Sequence, residues 1–159
     1  RVHVGHELRR VRRVEVGRLA GVHHRAAADG HVAVESALRG EACGIPVLCG
    51  DDPLTLSFIA LGAVGVVSVA SNVVPGEISR MVAHALANQA REALAIHEMI
   101  APLVRALFLE SNPIPVKAAL KMLGVFSSDQ VRLPLVPATA PVLDALRAAL
   151  ATIRPGRQR

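Results

Sequence analysis

Two lysines, seven histidines, two cysteines and one adjacent pair of aspartates are the side chains of this 159-residue sequence with the most obvious chemistry to offer. Lys117 and Lys121 stand four apart, so a helix places both on one face, where they read as solvated charges. His23, His24 and His31 lie close in sequence but lack the ligand spacing of a zinc site, and no metal is expected. His84 and His97 fall in amphipathic helical stretches and read as ordinary helix residues. Cys43 and Cys49 have no second pair, which fits neither a zinc ribbon nor a CxxC redox motif, so both are expected as buried free thiols. Asp51 and Asp52 could suggest paired catalytic carboxylates, yet neighbours at a strand end point in different directions. Asp52 instead reads as a helix N-cap, with Pro53 at the first helical position, where no donor is wasted.

These residues sit in an orderly pattern from Ile45 onward. Val47 to Gly50 reads as a buried strand, Pro53 to Leu61 as a helix closed by Gly62, and Gly65 to Val69 as a second strand. Strand, helix and strand in so short a span form a βαβ unit, which requires parallel strands and a right-handed crossover. Helices follow. Ile78, Met81, Val82, Ala85 and Leu86 make one apolar stripe, and Ala93, Ile96, Ile100, Leu103 and Leu107 make another after a break near Ala87 to Gln89. Pro102 should kink the second of these. A third helix starts after Asn112-Pro113 and ends at Gly124, and a last stripe of Leu143, Leu146, Leu150 and Ile153 follows Pro141.

Composition bounds the function. At 52% hydrophobic and 19% charged residues the chain is far from disordered composition and long enough for one packed core. Its longest apolar stretch, Phe58 to Ala70, is broken by Gly62 and Gly65 and is too short to span a bilayer. No apolar segment follows the basic N-terminus, so no secretory signal is visible and the expected compartment is the cytoplasm. Residues 1–44 differ from the rest: they hold eight of the sixteen arginines and five of the seven histidines, with no lysine or proline. Clustered guanidiniums could bind phosphate backbones, but with no Trp or Tyr and only three Phe the chain offers nothing to stack on bases, and no nucleic-acid partner is expected.

Four stretches, Leu48 to Asp52, Gly65 to Val73, Phe108 to Lys117 and Arg132 to Leu135, together resemble the C-terminal half of dihydrodipicolinate synthases over about Gly44 to Ile153. The resemblance implies an α/β fold, the last two strands of a (β/α)8 TIM barrel followed by a C-terminal helical extension. It divides the chain into a basic leader at 1–44, last barrel units at 45–88 and the extension at 89–159. It implies a homotetrameric enzyme that condenses pyruvate with aspartate semialdehyde through a lysine Schiff base, in the diaminopimelate route to lysine. No cofactor is expected. Val67 would offer a backbone carbonyl beside the bound pyruvate, and Gly50 would let the backbone approach the same pocket; both would stand at the carboxyl ends of strands, where barrels keep their active sites.

The same resemblance exposes what the chain lacks. The family's lysine stands in a Gly-Ile/Leu-Lys-Glu-Ala segment upstream, and the nearest equivalent here, Gly21 to Ala26, has His23, His24 and Arg25 but no lysine. A histidine forms no stable imine, and an arginine stays protonated. The family's proton-shuttling tyrosine has no counterpart in a chain without tyrosine. No catalytic residue is therefore assigned, and the chain is expected to be a fragment inactive by itself. Residues 1–44 fit either a divergent pseudo-enzyme or a shift of reading frame in GC-rich DNA, restored between Val32 and Gly44; the second is preferred. The reading from another class is a non-catalytic helical interaction module with a basic N-terminal arm.

Overall fold

The computed structural model describes residues 45–153, an α/β arrangement in which a short parallel strand pair packs beside a helical assembly. The first strand, β1 (Leu48–Cys49), pairs in parallel with β2 (Gly65–Val66), in the register Leu48 opposite Gly65 and Cys49 opposite Val66. Backbone bonds from Val64 N–H to the Val47 carbonyl (2.9 Å) and from Val67 N–H to the Cys49 carbonyl (2.8 Å) extend the ladder at both ends. The parallel βαβ unit is as expected, although its regular strands are shorter than the apolar runs that announced them. A Cβ on Gly65 would meet the Leu48 Cδ2 atom at 3.1 Å, a tight contact that the half-exposed leucine side chain can relieve by a small shift.

The crossover helix starts differently from the sequence reading. A 3-10 turn over Asp52–Leu54 leads into α1 (Thr55–Ala60), and Asp51, not Asp52, occupies the N-cap position. No side chain caps that turn. The Asp52 carboxylate has a stronger set of donors elsewhere, described below. Buried Thr55 holds the turn by donating its hydroxyl to the Asp52 carbonyl at 2.9 Å. Gly62 closes the helix at φ 101°, a conformation that favours glycine.

After a second 3-10 turn, Ala70–Asn72, come α2 (Pro75–Leu86), α3 (Ala90–Leu107), α4 (Ile114–Met122) and α5 (Ala140–Thr152). The break between α2 and α3 falls at Ala87 to Gln89, as the pattern predicts, with Asn88 at φ 59°. Helix α3 runs on through Pro102 to Leu107. Helix α2 packs on α3, and α5 packs on both α3 and α4. Their shared core contains Met81, Ile100, Leu103, Leu107 and Leu146, each at most 1% exposed. On α5 the buried stripe is Val142, Leu146, Ala149 and Ile153; Leu143 and Leu150 lie at its margin, rotated away from the expected centre. Among the described residues no helix is long and apolar enough to cross a membrane.

Candidate functional site

The carboxyl ends of β1 and β2 lie side by side, and one carboxylate ties them together. Asp52, which directly follows the β1 exit, is 3% exposed. One of its oxygens, Oδ2, accepts from the N–H groups of Val69 (2.9 Å) and Ala70 (3.3 Å), and Oδ1 accepts from the Ser68 hydroxyl. Asp52 thus caps the 3-10 turn after β2 rather than its own helix, and a buried charge is offset by three donors. Ser68 extends the tie: its hydroxyl oxygen accepts from Ser71 N–H, and the Ser71 hydroxyl donates to the Ser68 carbonyl, both at 2.8 Å.

The two residues assigned to substrate on sequence grounds, Gly50 and Val67, flank this tie. Val67 N–H is committed to the Cys49 carbonyl, while Val67 as a residue is 67% exposed. Gly50 is exposed, and a Cβ built on it would meet no atom within 4 Å, so nothing among the described residues demands glycine there. Beneath them the buried thiol of Cys49 donates to the Asp51 carbonyl at 3.1 Å. Burial pushes that thiol above its ordinary pKa, and the charges of Asp51 and Asp52 add to the rise. Asp51 itself is raised, first by burial and then by the adjacent Asp52 charge. The two aspartates do diverge, as strand-end neighbours should: one is locked in the tie and the other is half-buried beside it.

The other candidates lie elsewhere or lack partners for catalysis. Lys121 pairs with Asp129 at 2.7 Å, and Lys117 donates to the Gln130 carbonyl, so α4 uses both amines to hold the loop that follows it. Lys117 also lines an open cleft of about 500 Å³ with Arg132 and Leu133. Another cleft, about 360 Å³, lies between α3 and α5 with Arg105 and Thr152 on its wall, away from the strand ends. His84 meets the Gln89 side chain at 2.5 Å, and the Nδ1 atom of His97 is buried without a partner. Among the described residues no three His, Cys, Asp or Glu side chains converge on a metal position. His23, His24, His31, Arg25 and Cys43 lie outside the described residues.

Sequence reasoning missed Asp52 as a connector and missed Ser68 and Ser71 altogether. The signal available was the pairing of one acid at a strand exit with a Ser-x-x-Ser run at the next, which becomes meaningful only once the strands are known to be parallel neighbours.

The chain is similar in sequence and fold to known proteins. The chain is 51% identical over 105 residues to the 4-hydroxy-tetrahydrodipicolinate synthase of Methanosarcina barkeri, an alignment covering 64% of this chain and 36% of that protein. The dihydrodipicolinate synthase structure from Aquifex aeolicus superposes with a TM-score of 0.71 at 42% identity, covering 78% of this chain and 42% of the other. The chloride-inhibited enzyme from Acinetobacter baumannii, complexed with pyruvate, gives a TM-score of 0.69 at 36% identity, covering 75% and 42%. The chain therefore spans about a third of the length of the curated relatives it matches. The sequence model of the Dihydrodipicolinate synthetase family matches residues 15–153, beginning well inside the arginine-rich first quarter, and the chain belongs to that family.

Proposed function

We propose that this chain is the C-terminal part of a 4-hydroxy-tetrahydrodipicolinate synthase, supplying the last two strands of a (β/α)8 barrel and the helical extension but not the Schiff-base lysine. The observation that carries the proposal is the pair of parallel strand ends at Gly50 and Val67, placed side by side as a barrel's catalytic face requires. In the reaction, a lysine amine attacks the pyruvate ketone and water leaves to give an imine; loss of a methyl proton turns the imine into an enamine, whose carbon bonds to the aldehyde carbon of aspartate semialdehyde while the aldehyde oxygen takes up a proton. Val67 contributes a carbonyl that accepts a hydrogen bond beside the imine, and Gly50 keeps the opposite wall free of a side chain. Lysine, proton shuttle and carboxylate anchor come from outside this chain, and the helices α3 to α5 support the homotetramer the family forms. The setting is a cytoplasmic one.

The amine is the decisive absence. Lys117 and Lys121 are the chain's two lysines, and both are engaged with the loop after α4. Incubating the purified chain with pyruvate and borohydride should leave no adduct at stoichiometric level by mass spectrometry. A pyruvate adduct on Lys117 or Lys121 that disappears on unfolding would overturn the assignment. Residues 1–44 are best tested in the DNA: a Gly-Ile/Leu-Lys-Glu-Ala segment in another frame upstream of Glu35 supports a shifted frame, whereas its absence from all three frames supports a divergent protein.

A further inference from the structure

Asp52 belongs to neither the imine chemistry nor the substrate contacts assigned above, yet it is the most deeply buried carboxylate among the described residues. Its three acceptor contacts all go to one short segment, Ser68 to Ala70, which begins immediately after Val67. On the other side, Asp52 is two residues from Gly50, and its carbonyl is held by buried Thr55. A carboxylate fixed at both ends in this way leaves little freedom for the backbone between Val67 and Ala70 to rotate. The N–H of Val67, anchored on the Cys49 carbonyl, restrains the same residue from its other end.

We infer that Asp52 is a positioning residue that sets where the Val67 carbonyl stands relative to Gly50, by holding the Ser68 to Ala70 backbone across the gap between the two strand ends. The inference rests on the proposed role of Val67 and Gly50, but the clamp itself is observable without turnover. What matters is the acceptor rather than the charge. In Asp52→Asn the amide oxygen can still serve both N–H groups, and the Ser68 hydroxyl can turn to accept from the amide nitrogen. Asp52→Leu fills similar space and accepts nothing.

The experiment is hydrogen exchange at single-residue resolution on the full chain and on the Asn, Leu and Ala variants. In the unsubstituted chain the Val69 and Ala70 amides should be protected. Asp52→Leu and Asp52→Ala should lower that protection by about tenfold or more, the scale of leaving a buried donor without its acceptor, while Asp52→Asn stays close to the parent. The amides of α3 and α5 serve as an internal reference for global unfolding. Equal protection in the Leu and Asn variants would reduce Asp52 to a space-filling role and overturn the inference. So would rapid exchange of Val69 and Ala70 in the unsubstituted chain, which decides the matter even if the Ala variant does not fold. The clamp is judged by this acceptor dependence alone, so a failure of the roles proposed for Val67 and Gly50 leaves it standing, and its own failure leaves them standing.

Discussion

The strand pair and the helices are made from the same aliphatic residues, but they bury them to very different degrees. Leu103, Leu107 and Leu146 on α3 and α5 are fully enclosed, whereas Leu48, Val64 and Val67 around β1 and β2 are 53%, 49% and 67% exposed. The reason lies in the backbone. A helix satisfies its own hydrogen bonds and needs only a partner for one face, which α2, α3, α4 and α5 provide for one another. A parallel strand needs neighbours on both edges and cover on both faces, and among the described residues β1 and β2 have only each other. Among the described residues the helices enclose a shared core, whereas the strand pair keeps open edges and exposed apolar side chains.

The largest test of this contrast is a matched pair of truncations. Leu103→Ala should destabilise by about 2 to 5 kcal/mol in urea unfolding, because it removes transfer energy and leaves a cavity among fixed neighbours. Leu48→Ala, at a half-exposed position, should stay within about 0.5 kcal/mol. Equal losses at the two sites would mean that β1 is covered in solution by residues outside 45–153. The next effect in size lies at the junction. Asp52→Ala leaves the Val69 and Ala70 donors without their acceptor and should cost about 2 kcal/mol, with Asp52→Asn recovering most of it.

How far the sequence could be read follows the same division. The helices were legible because their signals are local: Gly62 and Gly124 close turns, Asn88 marks the break, and apolar residues recur at helical spacing. On α5 the expected stripe holds at Leu146 and Ile153, while Leu143 and Leu150 are only partly buried against the core and Val142 and Ala149 are buried instead, because hydrophobicity ranks leucine above alanine. The roles proposed for Val67 and Gly50 rest on resemblance alone. Backbone carbonyls carry no side-chain signature, so nothing in the identity of Val67 announces a role. Asp52 was misread for a physical reason: local propensity favours an N-cap, but its donors at Ser68, Val69 and Ala70 lie sixteen to eighteen residues away and pack against it only after the strands pair.

The exposed strand residues also predict how the chain associates. An apolar strand edge without cover recruits other edges, so the chain should self-associate in a concentration-dependent manner by sedimentation velocity. Leu48→Lys and Val64→Lys place charges on that surface and should shift the distribution towards smaller species, whereas Leu133→Lys, on the loop after α4, should not. If all three act alike, association runs through general hydrophobicity and the contrast between the regions loses its force.

The smallest effect concerns Asp51, and its sign can be worked out. Its folded-state pKa is raised above the ordinary 3.8 by burial and by the neighbouring Asp52 charge, so the folded chain favours the protonated carboxyl. Stability from this group is therefore fully present below about 3.8, the unfolded value, and is lost as pH rises through the folded one. At neutral pH the ionised carboxylate is a burden on the strand end. Asp51→Asn removes it and should raise stability at pH 7 by less than about 1 kcal/mol, since the half-exposed carboxyl remains largely screened by water. Below the unfolded value the two proteins should converge, because both then carry a neutral side chain. A gain that persists unchanged at low pH would show that the amide helps through a new hydrogen bond, and that the crowding of two charges at this strand end is not what limits its stability.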